Sequence, residues 1–326
     1  MSQTIRLSNG TVMPTIGLGT WKIDKSEVTD VVYNAIKKGV RHLDCACDYG
    51  NEVEVGLGIK KAIDEGLCTR QELWVTSKLW NTYHAREHVE LACRKSLTDI
   101  GLDYFDLYLI HFPISQKFVP IETRYPPEWI YDPNAENPHI ELDPVPLSQT
   151  WAGMEELVDR GLVKNIGVAN LVAQSLMDLL SYCRIRPVVN QVEMHPYLVQ
   201  AELLEYCNIA NIHVTAFSPL GSSSYICLGM DGGRGAGVLN EPSVKAIASS
   251  HGKTAAQVVL RWNVQRGVSI IPKSCKIERI VENFDLFDFE LTEEEMNIIT
   301  ALNANVRFNN PGVFCKFMGG AIPIFG

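Results

Sequence analysis

Short apolar runs alternate with longer segments of helical period along almost the whole chain, and this rhythm restricts the fold more than any other feature of the sequence. Runs rich in Val, Ile and Leu predict strands at 41–46, 73–79, 105–111, 164–170, 188–194, 213–219 and 268–274. Segments of helical period predict helices at 27–38, 52–65, 85–99, 149–160, 172–181, 200–208, 241–250, 254–266, 276–283 and 292–303. Strands that are apolar on both faces and separated by helices indicate a parallel sheet covered on both sides.

Seven strand–helix units, with an eighth candidate strand at 284–289, predict a closed (β/α)8 TIM barrel. A doubly wound open sheet is the alternative. Because α/β barrels reach this length as one unit, we expect residues 1–326 to form a single barrel domain. Asn9-Gly10 stands between two short alternating runs and predicts an N-terminal β-hairpin.

Two long segments interrupt the rhythm, each after a predicted strand. Residues 112–147 hold eight prolines and show no helical period, and residues 221–240 are rich in glycine. Loops of this length are usually either functional or disordered. We therefore expect long loops at the C-terminal mouth of the barrel, which is where the active sites of such barrels lie.

Charge and cysteine usage limit the partners and the compartment. Lys and Arg number 29 against 38 Asp and Glu, and the net charge of −9 argues against a nucleic-acid partner. The sequence shows neither a secretory signal nor a run of 18 apolar residues, so we expect no membrane association. Nine cysteines without a framework spacing favour a reducing, cytoplasmic location.

Two motifs that would indicate other chemistries fail. In the glycine-rich loop, a G-x-G-x-x-G pattern begun at Gly233 or Gly235 meets Val238 or Asn240 where the third glycine is required. The segment HAREH (84–88) has its histidines four apart but lacks the glutamate of a zinc protease helix. We therefore expect neither a Rossmann fold nor a metal site.

Polar residues stand where the predicted strands end. In a barrel, active-site residues come from the C-terminal ends of different strands. The polar residues at or near those ends are Asp44, Tyr49 in the turn that follows, Lys78, His111, Asn170, Gln191, Lys273 and Ser274. Any one of them could be a cap or a core side chain, but as a set they predict one site at the mouth.

The combination of Asp, Tyr, Lys and His predicts a particular chemistry. A tyrosine is a weak acid, with a reference pKa of about 10. We expect Lys78 to lower the pKa of Tyr49 and Asp44 to hold Lys78 in place and charged. Tyr49 could then give a proton to a carbonyl oxygen while a neutral His111 orients that carbonyl. This arrangement suits reversible carbonyl reduction by a nicotinamide cofactor.

Seven ordered motifs are spread along nearly the whole chain. They are MPTIGLGTW (13–21), RHLDCACDYGNE (41–52), TSKLWN (76–81), DLYLIHFP (106–113), GVAN (167–170), NQVEMHPY (190–197) and IPKSCKIERIVEN (271–283). With them the chain resembles the aldo-keto reductase superfamily. The resemblance implies a (β/α)8 barrel that binds NADPH extended across its mouth. It also implies Tyr49 as general acid, Asp44 and Lys78 as the residues that tune it, and His111 as the residue that orients the carbonyl.

The resemblance further implies the residues that hold the cofactor, with NADPH expected first and NADH as second choice. For the nicotinamide and pyrophosphate these are Asn170, Gln191, Phe217, Ser218 and Leu220. For the adenosine 2′-phosphate and adenine they are Lys273, Ser274, Arg279, Glu282 and Asn283. The chain departs from the usual pattern at Ala169, Phe217 and Cys275, where the family usually has serine, tyrosine and asparagine.

Within the superfamily the chain looks most like xylose reductases and other aldose reductases, on segments 112–129 and 307–325. The residues implied for the substrate pocket are Trp21, Asp48, Trp80, Phe112 and Asn309, and Trp129 stands where an aromatic residue usually lies. The tail segment GVFCKFMGG (312–320) departs from the tryptophan-rich stretch expected there.

The expected activity is NADPH-dependent reduction of open-chain, xylose-like aldoses and other aldehydes to alcohols. One alternative is a reductase of a sugar phosphate, steroid or prostaglandin carbonyl. A non-enzymatic alternative is a nucleotide-binding sensor or structural subunit. The partner that we expect is a small-molecule aldehyde or sugar substrate. We expect the chain to be a monomer or a homodimer.

Overall fold

A computed structural model describes residues 3–221, 225, 230, 237–320 and 322–325. In chain order its strands are β1 (Thr4–Arg6), β2 (Val12–Pro14), β3 (Leu18–Gly19), β4 (His42–Asp44), β5 (Trp74–Leu79), β6 (Leu107–Ile110), β7 (Ile166–Ala169), β8 (Val189–Glu193), β9 (His213–Phe217) and β10 (Ser269–Ile270). The predicted glycine-rich loop at 221–240 lies mostly outside the described residues.

The α-helices are α1 (Lys25–Lys37), α2 (Glu52–Asp64), α3 (Arg86–Ile100), α4 (Leu147–Asp159), α5 (Ala173–Tyr182), α6 (Ala201–Ile209), α7 (Pro242–Ser250), α8 (Ala255–Gln265), α9 (Ile277–Phe284), α10 (Glu293–Thr300) and α11 (Pro311–Phe314). The first ten confirm the predicted helices to within a few residues. Local chemistry sets several helix starts, since Thr254 and Thr292 each accept a hydrogen bond from the third residue of the helix that follows.

Strands β3 to β10 form one parallel sheet in which neighbours in sequence are neighbours in space. The sheet closes because Gly17 N donates to Ile270 O at 2.8 Å and Gly19 N donates to Pro272 O at 3.1 Å. This closure confirms the (β/α)8 barrel and excludes the doubly wound sheet. Helix α3 packs against β5 and helix α4 packs against β7, and every residue of β5 and β6 is buried.

The eighth strand is not the one predicted. Residues 284–289 contain no strand, and β3 (Leu18–Gly19) completes the barrel instead. A strand of two residues has no run of alternating or apolar residues that a sequence pattern could reveal. Residue 19 must also be small, because a Cβ there would stand 2.9 Å from Ile271 O across the closure.

The predicted N-terminal hairpin is confirmed as β1 and β2, which pair antiparallel. Asn9 Nδ2 in its turn donates to Asn165 Oδ1 at 2.6 Å, directly before β7. The hairpin therefore covers the N-terminal end of the barrel. At the opposite end, residues 112–146 follow β6 without a helix, which confirms the long loop at the mouth.

In the described part of the chain the structure contains no disulfide, membrane span or metal cluster. The eight cysteines found there are free. No helix in those residues is long and apolar enough to cross a membrane. They also contain no group of three His, Cys, Asp or Glu side chains that could hold a metal ion.

Candidate active site

Three strand ends bring the predicted Asp, Tyr, Lys and His side chains together. Asp44 ends β4, Lys78 lies near the end of β5 and His111 directly follows β6. Tyr49 sits in the 3-10 turn after β4. The Tyr49 and His111 rings are 5.9 Å apart between centroids, and Lys78 Nζ donates to Tyr49 Oη at 3.2 Å.

Lys78 is fully buried, and all of its donor capacity is used. Its Nζ also donates to Asp44 Oδ1 at 2.5 Å and to Cys45 O at 2.9 Å. The second carboxylate oxygen of Asp44 accepts from Gln191 Nε2 at 2.7 Å. A buried ion pair is stable only when its remaining polar atoms find partners, and this network supplies them. It fixes the ammonium beneath the Tyr49 hydroxyl.

The pKa of Tyr49 departs from the expectation. Burial, together with the nearby carboxylates of Asp44 and Asp48, raises the pKa of Tyr49 well above its ordinary value. The prediction that Lys78 brings the pKa of Tyr49 below its ordinary value is therefore wrong. Desolvation of the phenolate has a larger effect on this pKa than the positive charge of Lys78. The phenol keeps its proton at neutral pH, as a proton donor must.

His111 is held neutral, as expected. Burial and the positive charge of Lys78 lower the pKa of His111 well below its ordinary value. Its ring packs against Trp80, with 5.3 Å between the ring centroids. Its backbone carbonyl accepts from Asn170 Nδ2 at 2.8 Å, which ties the ends of β6 and β7 together. A neutral imidazole in this position can donate one hydrogen bond to an oxygen in the pocket.

A pocket of about 430 Å³ opens at these strand ends. The predicted site residues that line it are Trp21, Asp44, Asp48, Tyr49, His111, Phe112, Asn170, Gln191, Phe217, Ser218, Leu220, Lys273 and Asn309. Lys78 and Trp80 lie one layer behind the lining, and both are completely buried. Trp80 contacts the pocket indirectly, because its ring packs on His111 and Phe112.

The carboxyl group of Asp48 has an unusual environment. Burial and the neighbouring Glu128 raise the pKa of Asp48 to about 7. Near neutral pH this side chain therefore exists in both protonation states and can either donate or accept a hydrogen bond.

The residues predicted for the adenosine end lie on one segment at the edge of the pocket. Lys273 lines the pocket, Ser274 is buried, and Arg279 is exposed on α9. Ser274 Oγ accepts from Lys276 N at 3.1 Å and so shapes the turn into α9. Glu282 Oε1 accepts from Thr254 Oγ1 at 2.8 Å.

Sequence reasoning missed part of the pocket lining. The further lining residues include Tyr225, Met230, Phe314, Phe317 and Met318. Two of them lie in the segment 221–240 and the other three lie in the C-terminal tail, and in neither does a periodicity indicate which side chains point inward. Trp129, at which the sequence predicted only an aromatic position, lines the pocket. Its ring centroid lies 5.0 Å from that of Trp80.

A family model identifies this arrangement. The model of the aldo/keto reductase family matches residues 7–304. The chain belongs to the aldo/keto reductase family. Most of the chain is matched, including each strand of the barrel and the residues of its mouth up to Ala304.

Proteins named for their activities are similar to this chain over nearly their full length. A probable NAD(P)H-dependent D-xylose reductase of Arthroderma otae is 48% identical over 99% of this chain and 96% of its own. An NADPH-dependent aldose reductase of Saccharomyces cerevisiae is 48% identical over 100% of both chains. A crystal structure of a Bombyx mori aldo-keto reductase in complex with NADP aligns with a TM-score of 0.83, 38% identity and 95% coverage of both chains.

Proposed function

We propose that this protein reduces the carbonyl group of open-chain aldoses and other aldehydes to alcohols with NADPH, and that Tyr49 is the proton donor. Its relatives are named as NAD(P)H-dependent xylose and aldose reductases, so the chain is an oxidoreductase of the CH–OH and C=O class. The observation that carries the proposal is the Tyr49 hydroxyl, 3.2 Å from a buried ammonium and lining a pocket.

The side chains can carry out the proton half of the reaction. Tyr49 gives its proton to the carbonyl oxygen, and Lys78 stabilises the phenolate that remains. Asp44 keeps Lys78 in place, while neutral His111 orients the carbonyl by a hydrogen bond. When bound, a nicotinamide cofactor supplies the hydride that the carbonyl carbon receives.

The residues at the mouth fit a dinucleotide. Asn170 lines the pocket, and its buried Oδ1 has no hydrogen-bond partner among the described residues, so it can accept from a carboxamide. Asn170 and Gln191 would hold that amide, Phe217 would stack on the ring, and Ser218 and Leu220 would contact the pyrophosphate. The adenosine end would be held by Lys273, Ser274, Arg279, Glu282 and Asn283. A basic cluster at the start of α9 suits a 2′-phosphate, which favours NADPH over NADH.

The substrate end of the pocket favours a neutral polyhydroxy aldehyde. Asp48 and Asn309 offer polar atoms for hydroxyl groups, while Trp21, Phe112 and Trp129 offer apolar faces for the carbon chain. Lys273 is the only Lys or Arg among the described residues that line the pocket, and we assign it to the cofactor. A sugar phosphate would lack a cation there.

A substrate panel tests this assignment. NADPH oxidation is followed by absorbance with xylose, a sugar phosphate and a ketosteroid, and then repeated with NADH. We expect the highest kcat/KM with xylose and NADPH. An equal or higher value with the ketosteroid would overturn the sugar assignment, and no turnover with any aldehyde would favour a nucleotide-binding sensor. We further propose that residues 1–326 act as one domain in the cytoplasm, as a monomer or homodimer.

A further inference from the structure

A buried carboxylate joins the end of β8 to the C-terminal tail. Glu193, the last residue of β8, is 0% exposed. Its Oε1 accepts from Phe308 N at 2.8 Å and from His195 Nε2 at 2.9 Å, and its Oε2 accepts from Asn309 N at 2.8 Å. Three donors take the place of water around this side chain, and two of them are consecutive backbone amides of the tail.

One of the two residues held in this way lines the pocket, and the other packs on residues beside it. The Phe308 ring lies 4.9 Å from His195 and 5.9 Å from Tyr225 between centroids. Asn309 lines the pocket, and its side chain hydrogen-bonds to Tyr225. The direction in which the Asn309 side chain points therefore depends on a backbone that Glu193 fixes from beneath.

We infer that Glu193 is a positioning residue for substrate selection, which acts by holding the tail so that Asn309 presents its amide to a substrate hydroxyl. This inference rests on the proposed function, since it takes Asn309 to contact an aldose. Glu193 is not one of the described residues that line the pocket, so it acts only through the tail.

The change Glu193→Gln tests this role with little change in volume. A glutamine has one acceptor oxygen, so its NH2 group must face one of the tail amides or His195. At least one donor then loses its partner, and the Phe308–Asn309 backbone shifts. A hydroxyl-free aldehyde such as propanal has no group for Asn309 to bind. The readout is therefore the ratio of kcat/KM for xylose to kcat/KM for propanal, which we expect to fall about tenfold.

A double-mutant cycle separates positioning from a general loss of stability. If Glu193 acts through Asn309, then Glu193→Gln should change the ratio less than twofold in an Asn309→Ala background. Glu155→Gln is the matched control. Glu155 is buried and accepts from two consecutive amides, Arg184 N and Ile185 N, but it does not line the pocket. It should leave the ratio unchanged.

Hydrogen exchange followed by mass spectrometry tests the same link without a substrate. In Glu193→Gln, the peptide that carries Phe308 and Asn309 should exchange at least tenfold faster than in the unchanged protein, and in Glu155→Gln it should not. Unchanged exchange, or an unchanged ratio in an enzyme that reduces xylose, would overturn the inference. If the protein without substitutions reduces neither aldehyde, the proposed function is contradicted instead. The exchange experiment would still test whether Glu193 holds the tail.

Discussion

Removal of one oxygen atom from Tyr49 tests its proposed role as proton donor. Tyr49→Phe keeps the ring in the pocket but has no proton to give, so we expect kcat to fall at least a hundredfold. The Kd for NADPH, measured by quenching of protein fluorescence, should stay within about threefold, because the proposed cofactor contacts remain.

Tyr33→Phe is the matched control for that experiment. It also removes a hydrogen-bonded hydroxyl, which donates to Glu65 Oε2 at 2.6 Å, but on α1 and away from the pocket. Its kcat should not change. A Tyr49→Phe enzyme with an unchanged kcat would refute the proton-donor role.

Cofactor preference can be probed at Cys275, which takes the place of the family's usual asparagine. The residue is exposed between Ser274 and Lys276 at the start of α9. Cys275→Asn adds an amide donor beside the expected 2′-phosphate. We expect the Kd for NADPH to fall about threefold to tenfold, the worth of one hydrogen bond. The Kd for NADH should not change, and an equal gain for both cofactors would place the phosphate elsewhere.

At the level of single residues, the sequence predicts the polar part of the site well. Asp44, Lys78 and His111 stand at strand ends, and closure of a barrel necessarily gathers those ends into one mouth. The direction of the Tyr49 pKa shift could not be predicted in the same way. It depends on whether burial, which raises the pKa, outweighs the positive charge of Lys78, which lowers it.

At the level of elements, helices were easier to predict than the two short strands that close the barrel. Helices α1 to α10 carry long periodic patterns, whereas β3 and β10 each contain two residues. The segment 284–289 (FDLFDF) is rich in aromatic residues, which favour strands, yet it forms none. Those apolar side chains instead pack against α8 and its neighbours, with Leu286 completely buried.

The contact between α2 and α3 depends on a residue without a side chain. A Cβ at Gly56 would lie 2.2 Å from Ile100 O, so the two helices could not approach as they do. Gly56→Ala should therefore lower the free energy of unfolding by about 1–3 kcal/mol, although alanine favours helix. Urea denaturation followed by circular dichroism measures this difference.

Gly320→Ala provides the comparison, since nothing lies within 4 Å of a Cβ at that position. It should change the free energy of unfolding by less than about 0.5 kcal/mol. A Gly56→Ala protein as stable as the unchanged one would mean that the helices can separate at no cost.

At the level of the whole molecule, the fold was predictable and the complete pocket was not. The barrel follows from the order of strands and helices, and the residues proposed for the nicotinamide, Asn170, Gln191 and Phe217, stand at or near its strand ends. Aromatic and methionine side chains from the tail reach the same pocket, as do Tyr225 and Met230. Their positions depend on tertiary contacts such as those of Phe308 with His195 and Tyr225.

A buried carboxylate outside the pocket should make the stability of the whole molecule depend on pH. Glu52 is the first residue of α2, where Ser77 Oγ of β5 donates to it at 2.6 Å, and burial raises its pKa from 4.5 to about 7. Between these two pH values the folded chain holds a proton that the unfolded chain has released. The free energy of unfolding therefore falls as pH rises through this window.

Glu52→Gln has no carboxyl group to titrate at this position. Between pH 5 and pH 8 its free energy of unfolding should therefore fall by about 3 kcal/mol less than that of the unchanged protein. Urea denaturation at both pH values measures this difference. Asp99 on α3 and Lys78 on β5 are charged groups that act on Glu52, and both are unchanged in the variant. Glu72→Gln is the control, because hydrogen bonds from Thr69 lower the pKa of Glu72 and place its effect below this pH range. Equal pH dependence in Glu52→Gln and the unchanged protein would show that Glu52 is already ionised at pH 5.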